Sequence, residues 1–235
     1  RRNLLALTGD FVSFSIGFAF FDPMVVIPAF TQALTGSELV IGLLSALRMI
    51  MITLPQIWAA SFLVSRPRKK PLLVWSSVGG RLPVVLLALG ALTLAQDLPW
   101  LVLILLGLSV MLFYTSEGLN SISWPDIVGK VLPADIRGRF LGTGQFLSSL
   151  GALGAGYLVR RILGAPALSF PTNWAVIFGC AFVGLMLSAV FITLIREEPG
   201  SKSDEPVDVK QSIRRLIRYL RSDGRLRRAV SVQVL

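Results

Sequence analysis

The chain has 235 residues, of which 54% are hydrophobic and only 15% are charged, and its mean hydropathy is +0.71. Its formal net charge is +10, it has no histidine, and its one cysteine is Cys180. These counts argue against a disulfide framework, a histidine- or cysteine-based metal site and histidine-dependent hydrolysis. We therefore expect neither an enzyme nor a bound cofactor, and the hydrophobic content favours a membrane protein.

Six stretches are each long and apolar enough to cross a hydrocarbon core about 30 Å thick, which takes roughly 20 helical residues. In chain order they are Leu7–Thr31, Leu39–Val64, Leu72–Leu94, Trp100–Ile122, Phe140–Leu163 and Trp174–Ile195. A soluble α/β domain also has apolar runs, but those last only about 4–8 residues between polar turns. We therefore predict an all-α, polytopic bundle of six transmembrane helices.

The basic residues indicate how the spans are oriented. Lys and Arg occur between spans two and three, between spans four and five and after span six, whereas Gln32–Glu38 and Ala95–Pro99 contain neither. Because basic loops stay in the cytoplasm, both ends of the six-span unit are expected there, in a multi-pass protein of the plasma (inner) membrane. The positive charge is therefore assigned to membrane lipids and not to nucleic acid. Arg160 and Arg161, at the outer end of span five, are expected to snorkel to the headgroups.

Three charged residues lie well inside the predicted spans: Asp22, Arg48 and Arg81. A charge at that depth costs at least about 2.5–3.5 kcal/mol and needs a partner or water. Counting about 1.5 Å per residue from the span ends brings all three to a common level. We expect them to line a cavity for a solute or a proton, and one carboxylate against two guanidiniums favours an anionic or zwitterionic small molecule. An Asp–Arg pair that only stabilises helix packing is the alternative.

Proline and glycine predict interruptions in the first three spans. The interruptions fall at Asp22-Pro23 with Pro28, at Pro55 and at Gly79–Pro83. Broken helices at membrane depth are tolerated where they line a cavity, although proline also kinks helices simply for packing.

Span five carries small residues at every fourth position: Gly144, Ser148, Ala152 and Gly156. Such a face lets two helices approach closely, either as a static groove or as a sliding surface. The five tryptophans, Trp124 among them, fall near span ends and are interpreted as interfacial anchors.

A second charged group lies towards the cytoplasmic ends of the spans. Glu117, counted about 27 Å into span four, is expected near the cytoplasmic surface and paired with Arg66 or Arg137. Arg137 and Arg139 are expected to bind helix C-termini or carboxylates such as Glu117 and Asp126.

The segment after span six divides into three parts. Residues 197–206 are polar and rich in Gly, Ser and Pro, as is typical of a linker. Residues 207–222 place apolar side chains opposite basic ones, which predicts an amphipathic helix on the membrane surface, with a solvated helix as the alternative. Residues 223–235 are expected to begin a seventh span, so that residues 1–196 form a six-span domain and the chain stops short of a second half.

The loop between spans four and five contains the run Leu132-Pro133-Ala134-Asp135-Ile136-Arg137-Gly138-Arg139-Phe140-Leu141-Gly142. This Pro…Arg-Gly-Arg…Gly run, together with the six spans, the basic loop between spans two and three and the charged linker, resembles the N-terminal half of major facilitator superfamily (MFS) transporters. Arg66, Arg68 and Lys69 match basic positions of the family's second loop, where Ser65 replaces the usual Asp. Span five lacks the proline of the drug–proton antiporters.

The resemblance implies a bundle of two inverted three-helix repeats whose partner is the protein's own C-terminal half. It also implies a cytoplasmic gate, for which the candidates are Arg66, Arg68, Lys69, Glu117, Asp126, Arg137 and Arg139. The expected function is secondary active transport of a small solute by alternating access, with ion or proton coupling left open. A channel or lipid scramblase is the alternative; an intramembrane enzyme is less favoured because the available carboxylates lie at different depths.

Overall fold

Within residues 2–63 and 66–197, which the computed structural model describes, the chain forms seven α-helices and no β-strand. The helices are α1 Arg2–Ala19, α2 Val26–Thr35, α3 Glu38–Leu63, α4 Lys70–Leu94, α5 Pro99–Val131, α6 Ala134–Leu163 and α7 Thr172–Leu194. The all-helical class is therefore confirmed. The predicted amphipathic helix at 207–222, the seventh span at 223–235 and the linker beyond Glu197 lie outside the described residues.

Four of the described helices, α3, α4, α5 and α7, are long and apolar enough to cross a membrane. By length and composition they identify a membrane protein. The predicted first span is divided between α1 and α2, and α6, which covers the predicted fifth span, is less apolar because it carries many Gly, Ser and charged residues.

Large apolar side chains cover the outside of the bundle. Trp75 on α4 is 77% exposed, Leu153 on α6 is 72% exposed and Val183 on α7 is 65% exposed. A water-soluble protein rarely leaves such side chains in contiguous exposed positions. The outer surface therefore suits a hydrocarbon solvent.

The break between α1 and α2 is organised by Asp22. Its Oδ1 accepts hydrogen bonds from the backbone N–H groups of Met24 and Val25, both at 2.8 Å. Its carbonyl accepts one from Ile27 N at 3.0 Å. Asp side chains commonly bond the backbone two or three residues ahead in this way. The interruption predicted at Asp22-Pro23 is confirmed, whereas Pro28 does not interrupt the chain further and lies within α2.

The interruptions predicted in spans two and three are wrong. α3 continues through Pro55, and α4 continues through Gly79–Pro83. Proline is tolerated inside membrane helices where neighbouring helices and hydroxyl side chains satisfy freed backbone groups. Ser109 Oγ on α5 also lies 3.0 Å from the carbonyl of Pro83, which adds a polar contact between α5 and α4.

The helices pack in a continuous series across the bundle. α3 contacts α5, α5 contacts α4, α4 contacts α7, α7 contacts α1, and α1 contacts α6. Gly17 meets Gly184 and Gly9 meets Phe191, so α1 and α7 are antiparallel, whereas α3 and α5 are parallel because Leu44 lies at Gly107 and Ile52 at Gly118. If α1 is exchanged with α5, α3 with α6 and α4 with α7, the series is only reversed, so each helix keeps equivalent neighbours.

An aromatic cluster joins α2 to the centre of the bundle. The Phe30 ring on α2 lies edge-on to Phe178 on α7, with 4.8 Å between centroids. Phe21, next to the α1–α2 break, makes edge contacts with Phe113 at 5.4 Å and with Phe178 at 6.1 Å. Aromatic pairs favour these edge-to-face geometries, and here they hold the broken first span against α5 and α7.

The small face of α6 packs against α1, although not at every predicted position. A Cβ atom at Gly144 would lie 2.6 Å from Phe11, and one at Gly151 would lie 2.5 Å from Ile16. Ser148 and Ala155 are buried on the same side, whereas a Cβ at Gly156 would meet nothing within 4 Å. A strict four-residue repeat drifts off a contact face because the helix has 3.6 residues per turn, so the prediction is wrong at Gly156.

The Gly17–Gly184 contact gives a stability test. A Cβ atom at Gly184 would lie 2.7 Å from Gly17 Cα, while one at Gly179, also on α7, would meet nothing within 4 Å. We expect Gly184→Ala to destabilise the bundle by about 1–3 kcal/mol through overpacking. Gly179→Ala should be neutral or slightly stabilising because alanine favours helix. Thermal unfolding in detergent measures both, and equal midpoints for the two variants would contradict the close approach.

Candidate functional site

A cavity of about 310 Å³ lies between α1, α3, α4, α5 and α7. Its charged lining residues in the described chain are Asp10, Arg81 and Glu117. Uncharged polar side chains reach it from Ser77, Asn120 and Ser121, and the aromatic wall consists of Phe11, Phe14 and Trp124. A concave, mainly apolar space with a few converging polar groups is the usual form of a small-molecule site.

Arg81 on α4 is held mainly by α7. Its side chain is only 2% exposed, and Nη1 donates to the carbonyl of Leu185 at 2.7 Å and to Ser188 Oγ at 3.2 Å. The guanidinium carbon lies 5.5 Å from the centroid of the Phe14 ring, which is a cation–π distance. Nη2 is 4.0 Å from Glu117 Oε1, and Nε has no hydrogen-bond partner.

Asp10 on α1 is the buried counter-charge. Ser188 Oγ donates to its Oδ1 at 2.5 Å and Trp124 Nε1 donates to its Oδ2 at 2.7 Å, and the residue is 3% exposed. Ser188 therefore donates to Asp10 and accepts from Arg81, linking the two charges through one hydroxyl group. Asp10 connects α1, α5 and α7 because its two partners lie on the other two helices.

Glu117 on α5 is the most accessible of the three charged side chains, with 18% of it exposed. Its Oε1 accepts a hydrogen bond from Asn120 Nδ2 at 3.3 Å. Asn120 Nδ2 also donates to Ser77 Oγ at 3.2 Å, and Ser76 Oγ donates to Asn120 Oδ1 at 2.6 Å. These contacts orient the carboxamide beside Glu117 and tie α5 to α4.

The three residues predicted to share one site are separated in the structure. Arg81 lines the cavity, whereas Asp22 caps the α1–α2 turn. Arg48 lies over the Tyr114 ring, 5.8 Å from its centroid, beside a much smaller space lined by Pro23 and Pro28. Counting from span ends placed the three at one depth, but it could not say which way each side chain points around its helix.

Glu117 also differs from its prediction, because it faces Arg81 and lies away from the basic loops. The depth count took Ile122 as the end of span four, while α5 continues to Val131. The extra turns move the basic loop away from Glu117 and leave the carboxylate beside the middle of α4.

Sequence reasoning missed Asp10, Ser188 and Asn120, and it misassigned Trp124. Asp10 lies within the apolar stretch Leu7–Thr31, so the criterion that selected Asp22 applies to it equally. Trp124 was interpreted as an interfacial anchor, but its indole N–H donates to a buried carboxylate. No sequence pattern marks Ser188 or Asn120, whose roles depend on the helix faces opposite them.

The basic loops meet at one end of the bundle, here called the basic end, around Glu197. The carboxylate accepts hydrogen bonds from Lys69 N at 3.0 Å and from Lys70 N at 2.8 Å, and Lys130 Nζ lies 3.3 Å away. The Glu197 side chain is 2% exposed. The first N–H groups of a helix lack intrahelical partners and attract anions. Glu197 thus caps α4 from beyond the end of α7.

Asp126 and Arg137 complete the basic end. Asp126 pairs with Lys69 at 3.0 Å and with Lys130 at 2.6 Å. Arg137 Nε donates to the carbonyl of Leu132 at 2.9 Å, and its guanidinium also contacts the carbonyl of Gly129, so it binds the C-terminus of α5. Of the predicted gate residues, Lys69 and Asp126 are therefore paired with each other and Arg137 binds the C-terminus of α5, while Arg66, Arg68 and Arg139 are exposed.

The fold alone does not identify a function, because one fold supports many functions. No family model matches the chain, and no curated protein matches it significantly. The cavity around Arg81 and the cluster around Glu197 are the two charged assemblies from which a function can be argued.

The Glu197 cap is testable by hydrogen exchange. Glu197→Gln keeps the size of the side chain but removes the charge from the α4 N-terminus. Since hydrogen bonds to charged groups contribute about 1.5–3 kcal/mol, amide exchange at Lys69 and Lys70 should accelerate about tenfold or more. Exchange in α6 should not change, and Glu38→Gln at the opposite end serves as the matched control. Unaltered exchange at Lys69 and Lys70 would argue against the cap.

Proposed function

We propose that the protein is a secondary active transporter of the MFS type, which moves a small solute by alternating access. The observation that carries this proposal is the cavity bounded by Asp10, Arg81 and Glu117 inside a membrane-type bundle. Ionisable side chains are costly in a membrane interior and are typically found on solute and ion pathways. In this proposal the cavity forms one part of a central solute site, and the C-terminal half of the transporter forms the other part.

The packing order supports the proposal. The series α3–α5–α4–α7–α1–α6 is only reversed when the first three spans are exchanged with the last three. Because successive spans alternate in direction, the exchanged spans run oppositely, which is the arrangement of inverted repeats. Secondary transporters commonly bind solute near the interface of such repeats.

In the proposed topology the basic end faces the cytoplasm, and Glu197 with its partners forms part of the inner gate. Lys69 lies just before α4, Lys130 lies in the last turn of α5, and Glu197 follows α7. Contacts between these three segments have to rearrange if the segments separate during the transport cycle. A cluster of ion pairs is suited to such a gate, because the attraction between the opposite charges is restored each time the gate closes.

A continuous channel fits the described chain less well. Towards the end opposite the basic loops, Phe21, Phe113 and Phe178 pack edge-to-face and are at most 1% exposed. A channel requires a polar path or a hydrophobic constriction that can open, whereas this cluster is tightly packed. A cavity closed at one end is the form that alternating access requires.

Transport and channel activity can be separated by trans-stimulation in proteoliposomes. A carrier releases labelled solute faster when unlabelled solute is present on the opposite side of the membrane, because the binding site then carries solute in both directions of its cycle. A channel shows no such exchange. The probes are radiolabelled amines, amino acids, carboxylates and sugars, tested one at a time. Saturable, trans-stimulated flux of one of these supports the proposal, and flux that is linear in concentration without exchange would contradict it.

Arg81 and Arg48 form a matched pair for mutagenesis. Arg81→Lys removes the planar guanidinium, whose Nη1 bonds to Leu185 O and Ser188 Oγ while its Nη2 lies 4.0 Å from Glu117, because an ammonium is a compact point charge. We expect at least a tenfold loss of exchange rate with normal expression and a normal size-exclusion profile. Arg48→Lys, which changes a side chain outside the cavity, should retain most of the exchange. Equal activities of the two variants would mean that the Arg81 network is only structural.

A further inference from the structure

The charge balance of the cavity is opposite to the one predicted from sequence. The prediction combined one carboxylate, Asp22, with two guanidiniums, Arg48 and Arg81, and so favoured an anionic or zwitterionic solute. In the structure Asp22 and Arg48 lie elsewhere, and the charged lining consists of two carboxylates, Asp10 and Glu117, and one guanidinium, Arg81. With all three ionised, the lining carries one net negative charge.

The three charges are not equally available to a solute. Both oxygens of Asp10 already accept hydrogen bonds from Ser188 and Trp124, and Arg81 is 2% exposed with Nη1 bonded to α7. Glu117 has one hydrogen bond, from Asn120 at 3.3 Å, and its closest cation is 4.0 Å away. Arg81 Nε also has no hydrogen-bond partner, but the Arg81 side chain is only 2% exposed, whereas 18% of the Glu117 side chain is exposed. The charged group that a solute can reach most easily is therefore a carboxylate.

The walls around Glu117 are suited to the apolar part of a cation. Phe11 and Trp124 line the cavity with their ring centroids 5.6 Å apart, and Ile52 and Leu73 add aliphatic surface. Aromatic faces attract ammonium groups, most strongly where water is excluded. The volume of about 310 Å³ is at the lower end of the usual range for small-molecule sites, which suits a compact organic molecule.

We propose that the cavity binds an organic cation, whose ammonium group pairs with Glu117 while its apolar part lies against Phe11 and Trp124. The inference rests on the proposed transport function and names the class of solute for that site. The one positive charge of Arg81 is outnumbered by the two carboxylates of the lining, and its Nη1 is bonded to the carbonyl of Leu185 and to Ser188 while the guanidinium lies over the Phe14 ring. These contacts hold α4 against α7.

The proposal can be tested with three probes of similar shape. Benzyltrimethylammonium is the cation, neopentylbenzene replaces its nitrogen by carbon and is neutral, and phenylacetate is the anion. Binding is measured on the intact protein in lipid nanodiscs, with empty nanodiscs subtracted for partitioning. We expect the cation to bind at least tenfold more tightly than the neutral probe, and phenylacetate to show no saturable binding.

Variants of Glu117 test whether this carboxylate is the group that binds the cation. Glu117→Gln should weaken cation binding at least tenfold and leave the neutral probe unchanged, while Glu117→Asp should restore part of the preference. Glu38→Gln, which removes an exposed carboxylate at the start of α3, is the matched control and should change neither affinity. A size-exclusion profile and an unfolding midpoint for each variant separate loss of binding from loss of fold.

The outcomes distinguish the solute class from the transport function. Tighter binding of phenylacetate, equal binding of the cation and the neutral probe, or an unchanged affinity in Glu117→Gln would each overturn the cation proposal. If Glu117→Gln alters only the pH dependence of flux, Glu117 carries a proton and the cation proposal fails. Trans-stimulated exchange of another solute would then leave the transport function standing. Cation binding without exchange of any probe would support the site and contradict the transporter.

Discussion

The hydroxyl group of Ser188 is the point on which the interior of this bundle depends. A buried carboxylate and a buried guanidinium are each costly in an apolar medium unless they are paired and hydrogen-bonded. Ser188 donates to Asp10 and accepts from Arg81, so one small side chain links the two charges, while Trp124 and the carbonyl of Leu185 supply a further hydrogen bond to each. Through this link α1, α4 and α7 share one polar centre, to which α5 is joined by the hydrogen bond from Trp124 to Asp10.

Polar chemistry is then concentrated in two places with different energetics. Around Arg81 the contacts are few and buried, so removing one partner leaves a charge without compensation. Around Glu197 the cluster lies at the end of the bundle, where Asp126 and Lys130 are partly exposed and where water and salt reduce the strength of each pair. The interior network therefore fixes the arrangement of helices, whereas the basic end can rearrange at smaller cost.

Much of the fold follows from composition and pattern, but the site does not. The all-helical class and the Asp22-Pro23 interruption are visible because hydrophobic run length and turn chemistry are local properties. The partners of Arg81 are not local: Leu185 and Ser188 lie more than a hundred residues away, and only helix rotation decides that they face it. Glu117 was misplaced for a related reason. The depth count ended span four at Ile122, whereas α5 continues to Val131, and the sequence does not show where along this helix the membrane surface lies. Asp10, by contrast, could have been found from its charge in an apolar run.

Two close crossings set the spacing of the helices at the centre of the bundle. Gly17 meets Gly184 where α1 crosses α7, and Gly80 meets the Ser116 side chain where α4 crosses α5; these two crossings correspond under exchange of the two halves. Small residues at such positions let two helices approach closely. The distance between the axes of each pair is therefore fixed by atoms of the backbone and of one serine, and a larger side chain at Gly17, Gly80 or Gly184 would force the two helices apart.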